Sequence, residues 1–173
     1  MKHQTLLCAV LTVAFASALA AKEVKLTKAQ VPAPVLQTAA KTAPGAAMTG
    51  FAREEEKGKT VYEVELREKG TGTDLILSPE GKLLTEERTL ASLADLPAAV
   101  RQGFQGSPYG TAKVLKIEKV TNSETPNAPT YELTVQQHGK HHELELTADG
   151  KLIHRANGEK GEAEEGEGHE HGG

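Results

Sequence analysis

Val61-Tyr62-Glu63-Val64-Glu65-Leu66 returns 69 residues later as Thr130-Tyr131-Glu132-Leu133-Thr134-Val135. The same offset carries Leu75-Ile76-Leu77-Ser78-Pro79-Glu80-Gly81-Lys82-Leu83-Leu84 onto Leu144-Glu145-Leu146-Thr147-Ala148-Asp149-Gly150-Lys151-Leu152-Ile153. Upstream, Val31-Pro32-Ala33-Pro34-Val35 reappears as Leu96-Pro97-Ala98-Ala99-Val100 at an offset of 65, which leaves four extra residues in the second copy. The turn-rich stretch Asn122 to Pro129 is their natural home. A repeat of this length is a small domain, so the chain divides into two related modules, residues 24–89 and 90–156.

Each module opens with a helical pattern. Leu96, Val100 and Phe104 recur at four-residue spacing, as do Val31, Val35 and Ala39, which gives one apolar stripe per helix. Asp95 is the expected N-cap of the second helix, and Pro97 fits its first turn. Both helices are expected to stop at proline-containing turns, Ala43-Pro44-Gly45 and Ser107-Pro108-Tyr109-Gly110. Strand patterns follow. Tyr62, Val64 and Leu66 alternate with Glu63, Glu65 and Arg67, and Tyr131, Leu133 and Val135 alternate with Glu132, Thr134 and Gln136. Hairpin turns are expected at Gly70-Thr71-Gly72 and His138-Gly139-Lys140, and again at the Glu80-Gly81 and Asp149-Gly150 pairs. Strands from Ala46 to Arg53 and from Lys113 to Val120 complete the units. The fold class is α+β: two tandem modules of one helix and a four-stranded antiparallel sheet, the sheets side by side. Such a sheet buries one face under its helix and leaves the other open.

The two ends lie outside the repeat. Residues 1–20 read as a signal peptide, with Lys2 and His3 before the apolar run Leu6 to Phe15 and a small-residue cleavage site at Ala18-Leu19-Ala20. That run is short for a membrane span, so the mature chain is expected to be periplasmic or secreted with no membrane anchor. Cleavage removes Cys8, the single cysteine, and with it any disulfide or thiol chemistry. Residues 157–173 hold six glutamates and one lysine among glycines, a composition that predicts a disordered tail. The precursor's net charge is −4, and the tail alone carries −5, so the modules are close to neutral. No basic patch points to nucleic acid.

These features together resemble the PepSY-like family. The resemblance is carried by Val31-Pro32, Pro44-Gly45-Ala46, Tyr62-Glu63-Val64-Glu65-Leu66 and Glu80-Gly81-Lys82-Leu83 in the first copy. Leu96-Pro97, Tyr131-Glu132-Leu133-Thr134-Val135 and Asp149-Gly150-Lys151-Leu152 carry it in the second. Ser107-Pro108-Tyr109-Gly110 departs from the pattern, because a residue separates proline from glycine. The resemblance implies an exported bacterial protein with a tandem helix-plus-sheet architecture similar to secreted beta-lactamase inhibitor proteins. It also implies a role in binding or inhibiting other proteins, often peptidases. The shared residues are mostly core and turn positions and name no target.

The sequence holds no Gly-x-Ser-x-Gly, no His-Glu-x-x-His and no phosphate-cradling glycine loop, so a non-enzymatic binding protein is expected. The outward residues Glu63, Glu65, Arg67, Glu132, His141, Glu143 and Glu145 are the expected surface for a protein or peptide partner. The loops 70–72, 122–129 and 138–140 are further expected contacts. No cofactor is required. The alternative is a metal-binding or metal-buffering envelope protein, with weak zinc or copper held by His141 and Glu143 or by His169, Glu170 and His171 of the tail. The triplet Glu54-Glu55-Glu56 reads as a solvated loop.

Overall fold

The computed structural model describes residues 23–56 and 58–157. The signal segment and the tail, including His169, Glu170 and His171, lie outside them. Among the described residues, nine strands run in sequence order through one continuous antiparallel sheet. They are β1 (Val24–Lys25), β2 (Ala47–Glu56), β3 (Lys59–Glu68), β4 (Thr71–Leu77), β5 (Leu83–Thr89), β6 (Lys113–Asn122), β7 (Thr130–Gln137), β8 (Lys140–Thr147) and β9 (Leu152–Asn157). Helix α1 (Ala33–Thr42) joins β1 to β2, and α2 (Ala98–Gly106) joins β5 to β6.

The expectation of two four-stranded sheets side by side is therefore corrected to a single sheet. β5 pairs with β6 from Thr85↔Asn122 to Thr89↔Glu118, which fuses the modules edge to edge. Each module alone would expose an edge of unpaired backbone groups there, and pairing satisfies both edges at once. A further strand, β1, extends the sheet beyond β2 through Val24↔Arg53 and Lys25↔Ala52.

Register puts both helices on one side. Thr73 lies opposite Arg88, Arg88 opposite Lys119, and Lys119 opposite Tyr131, so this row crosses the seam on a single face. Helix α1 buries Val35 and Ala39 against Val64, Leu66, Leu75 and Leu77. Helix α2 buries Val100 and Phe104 against Leu133, Val135, Leu144 and Leu146. The apolar stripes read from the sequence are these contacts. Among the described residues the two cores share no buried residue, and one continuous sheet runs beneath both.

Local geometry amends several boundaries. Asp95 does not cap α2. It ends a short 3-10 turn, Leu93–Asp95, where its carboxylate accepts from the Ser92 N–H at 2.9 Å and the Ser92 hydroxyl at 3.0 Å. Pro97 instead occupies the N-cap of α2. The hairpin turns are two residues long, Lys69-Gly70 and His138-Gly139, all four with positive φ. That conformation matches the twist of the flanking strands. Glu54-Glu55-Glu56 belongs to β2 rather than to a loop. Equivalent bulges interrupt β2 between Met48 and Gly50 and β6 between Val114 and Lys116.

A carboxylate ladder on the open face

The face without helices should display the polar half of each strand. Cross-strand pairing brings Glu65 opposite Asp74 and Asp74 opposite Glu87. In the second module Glu118 lies opposite Glu132 and Glu132 opposite Glu145. At the seam Glu87 faces Val120 and Glu118 faces Thr89, so the row steps by one pair there. Six consecutive strands, β3 to β8, thus contribute one carboxylate each to one ladder. Glu63, Glu54 and Glu143 flank it, and His154 on β9 follows Glu145. Beside His154 the ladder borders a shallow groove lined by Glu132, Glu143 and Glu145.

Positive charge on this face is sparse. The Lys116 ammonium lies 2.8 Å from Glu118 Oε1. The Arg67 guanidinium lies over Gly72, where a Cβ would fall 1.8 Å from its terminal nitrogen. The Glu65 carboxylate similarly covers Gly50.

Asp74 and Glu118 are only 8% and 6% exposed, although no helix covers them. Their burial comes from neighbouring groups of the same crowded face. Crowding of like charge there disfavours ionisation. Burial, then the charge of Asp74 and Glu54, pushes Glu63 up to about 7. Burial, then Glu132 and Glu118, does the same to Glu87, also to about 7. Burial, then Glu145 and Glu118, holds Glu132 at about 7. Burial also raises Asp74, against the opposing pull of Lys116.

Of the residues expected from the sequence, Glu65, Glu132 and Glu145 stand in the ladder, Glu63, Arg67 and Glu143 lie beside it on the open face, and His141 is on the same face of β8 opposite Gln136. His142 points to the helix side, where its ring stands 4.9 Å from that of Tyr109. Among the described residues the close three-ligand grouping is not at His141 and Glu143. It is formed by Asp74, Glu87 and Glu118, whose ligand atoms lie within 4.8 Å of one another. Glu87 and Glu118 escaped the sequence reading. Alternation from the inward Ile117 identifies Glu118 as outward, whereas Leu83 to Thr89 has no apolar alternation to assign Glu87. The expected contact loops also separate. The antiparallel order puts the β3–β4 and β7–β8 turns at one end of the sheet and residues 123–129 at the other.

Among the described residues, a meander of nine strands with both helices on one side and an acidic opposite face defines a tandem α+β sheet protein. The chain belongs to the family described as "Putative beta-lactamase-inhibitor-like, PepSY-like", whose profile matches residues 17–85 and 86–154. Solved structures share the fold. A "putative periplasmic" protein from Bacteroides eggerthii is 22% identical with a TM-score of 0.63, over 73% of this chain and 88% of that one. A DUF2874 family protein from Bacteroides ovatus is 23% identical with a TM-score of 0.60, over 73% and 86%. A BLIP-like protein from Bacteroides fragilis is 25% identical with a TM-score of 0.58, again over 73% and 86%. The comparison with curated proteins gave no match. No helix among the described residues is long and apolar enough to cross a membrane.

Proposed function

We propose that the chain is an exported, non-enzymatic binding protein that docks a basic surface of a protein or peptide partner on its open sheet face. Inhibition is the form this docking takes if the partner is a peptidase. The carrying observation is the carboxylate ladder. Like charges directly opposite on neighbouring strands destabilise a sheet. A chain with such pairs in both modules, Glu65 to Glu87 and Glu118 to Glu145, gives up stability, and such local conflicts concentrate where function requires them. A cationic partner neutralises the row, and its desolvation of the half-buried carboxylates adds specificity rather than area alone. Family membership supports the same reading, as does the likeness to a BLIP-like fold.

The test is capture of envelope proteins by the wild type and by a Glu143→Lys/Glu145→Lys variant, at low and at moderate salt. The expected result is capture that weakens with salt and is lost in the variant. Equal capture by both proteins rules the face out.

A further inference from the structure

Asp74, Glu87 and Glu118 come from three adjacent strands and from both modules, since β4 and β5 belong to the first and β6 to the second. Their ligand oxygens converge to within 4.8 Å. Asp74 Oδ1 is buried without a hydrogen-bond partner among the described residues, and Asp74 as a whole is 8% exposed. A buried, unpaired carboxylate oxygen aimed at two further carboxylates is costly unless something positive meets it. Lys116 meets Glu118 Oε1 at 2.8 Å, but its side chain is about half exposed and leaves Asp74 Oδ1 without a hydrogen bond.

We propose that these three carboxylates bind one hard divalent cation, calcium in preference to magnesium, and that the ion fastens the two modules at their seam. The ligand set is all oxygen, without imidazole or thiolate, which favours hard cations over zinc or copper. Two oxygens on one calcium ion, at about 2.3–2.6 Å each, lie at most about 5 Å apart. Magnesium, at about 2.1 Å, requires them closer and in stricter octahedral order. Waters supply the ligands that three carboxylates leave unfilled in a calcium shell of about 6–8 oxygens. Lys116 is the competitor at the site, because its ammonium draws on the same carboxylate of Glu118. This binding requires no partner protein and is independent of the docking reading.

The experiment uses the full chain, stripped with chelator, and calcium chloride alone as the probe. Calorimetry should give a Kd of about 0.1–1 mM, the range of extracellular calcium modules, and thermal unfolding should shift upward with calcium. Asp74→Asn keeps the shape of the side chain and should weaken binding at least tenfold while the metal-free protein remains folded. Lys116→Gln should tighten binding, because it removes the competing ammonium. Glu124→Gln, in the exposed β6–β7 loop, should bind as the wild type does. A folded wild type with no calcium-dependent heat or thermal shift up to 10 mM (about ten times the weakest expected Kd) overturns the site. So does an Asp74→Asn variant that binds as tightly as the wild type, which would assign the calcium to other carboxylates.

Discussion

Gly103 on α2 lies directly against Gly150 in the β8–β9 turn: a Cβ on Gly103 would fall 1.9 Å from the Gly150 carbonyl oxygen. The repeat offsets make Thr38 the counterpart of Gly103, and Gly81 that of Gly150. There the contact is a hydrogen bond, with the Thr38 hydroxyl donating to the Gly81 carbonyl at 2.8 Å. One helix-to-turn junction is thus closed by a side chain in the first module and by bare backbone in the second.

Helix propensity alone predicts that Gly103→Ala stabilises the chain by about 1 kcal/mol. The contact with Gly150 reverses that sign. A net loss of about 2 kcal/mol or more is expected, as for overpacked core sites. Gly150→Ala adds strain at φ +86 to a Cβ placed 2.2 Å from the Ala99 carbonyl oxygen, so it should cost more than Gly103→Ala. Thr38→Ala loses one hydrogen bond, about 1 kcal/mol. Urea denaturation midpoints rank the three variants.

Stability should fall as pH rises through the weakly acidic range. Glu63, Glu87 and Glu132 move from an ordinary value of 4.5 to about 7 in the folded chain. The folded state therefore holds more protons than the unfolded state between those values. The contribution is fully present below about pH 4.5, is lost as pH rises towards 7, and is level above. Solvent screening limits it to on the order of 1 kcal/mol per group. Thermal unfolding in chelator at pH 5 and pH 8 checks the sign.

Glu132 stands between Glu118 and Glu145 on the ladder. Glu132→Gln should therefore raise stability at pH 8 by about 0.5–1 kcal/mol, because it relieves two like-charge pairings. At about pH 3, below the ordinary value of 4.5, the gain should vanish, since the carboxyl is then largely neutral in both states. The same variant should capture partner less well. Unfolding curves at the two pH values, paired with the capture assay, separate stability from binding.

Phe104 is 1% exposed and fills the second core, which shares no buried residue with the first. Phe104→Ala should cost about 3–5 kcal/mol. The loss should fall mainly on the second module, since the two cores share no buried residue. Hydrogen exchange should show amides of β7 and β8 losing most of their protection and those of β3 and β4 keeping more.

Much of this protein is local and was legible in the chain. The repeat, the helix stripes at Val35 and Val100, and the alternation around Tyr62 and Tyr131 follow from side-chain periods of 3.6 and 2. Those periods also put Glu63, Glu65, Glu132, Glu143 and Glu145 on the outward face. Asp95 was misplaced because Ser92 captures it in a preceding turn, a competition that spacing does not rank. What the tertiary structure alone decided is the join between the modules. Pairing of β5 with β6 is a long-range register choice, and no local pattern in Leu83 to Thr89 specifies it. That register makes two short rows of carboxylates into one ladder and brings Glu118 of one copy to Asp74 and Glu87 of the other. Periodicity tells which way a side chain points, whereas only the folded sheet tells what it meets.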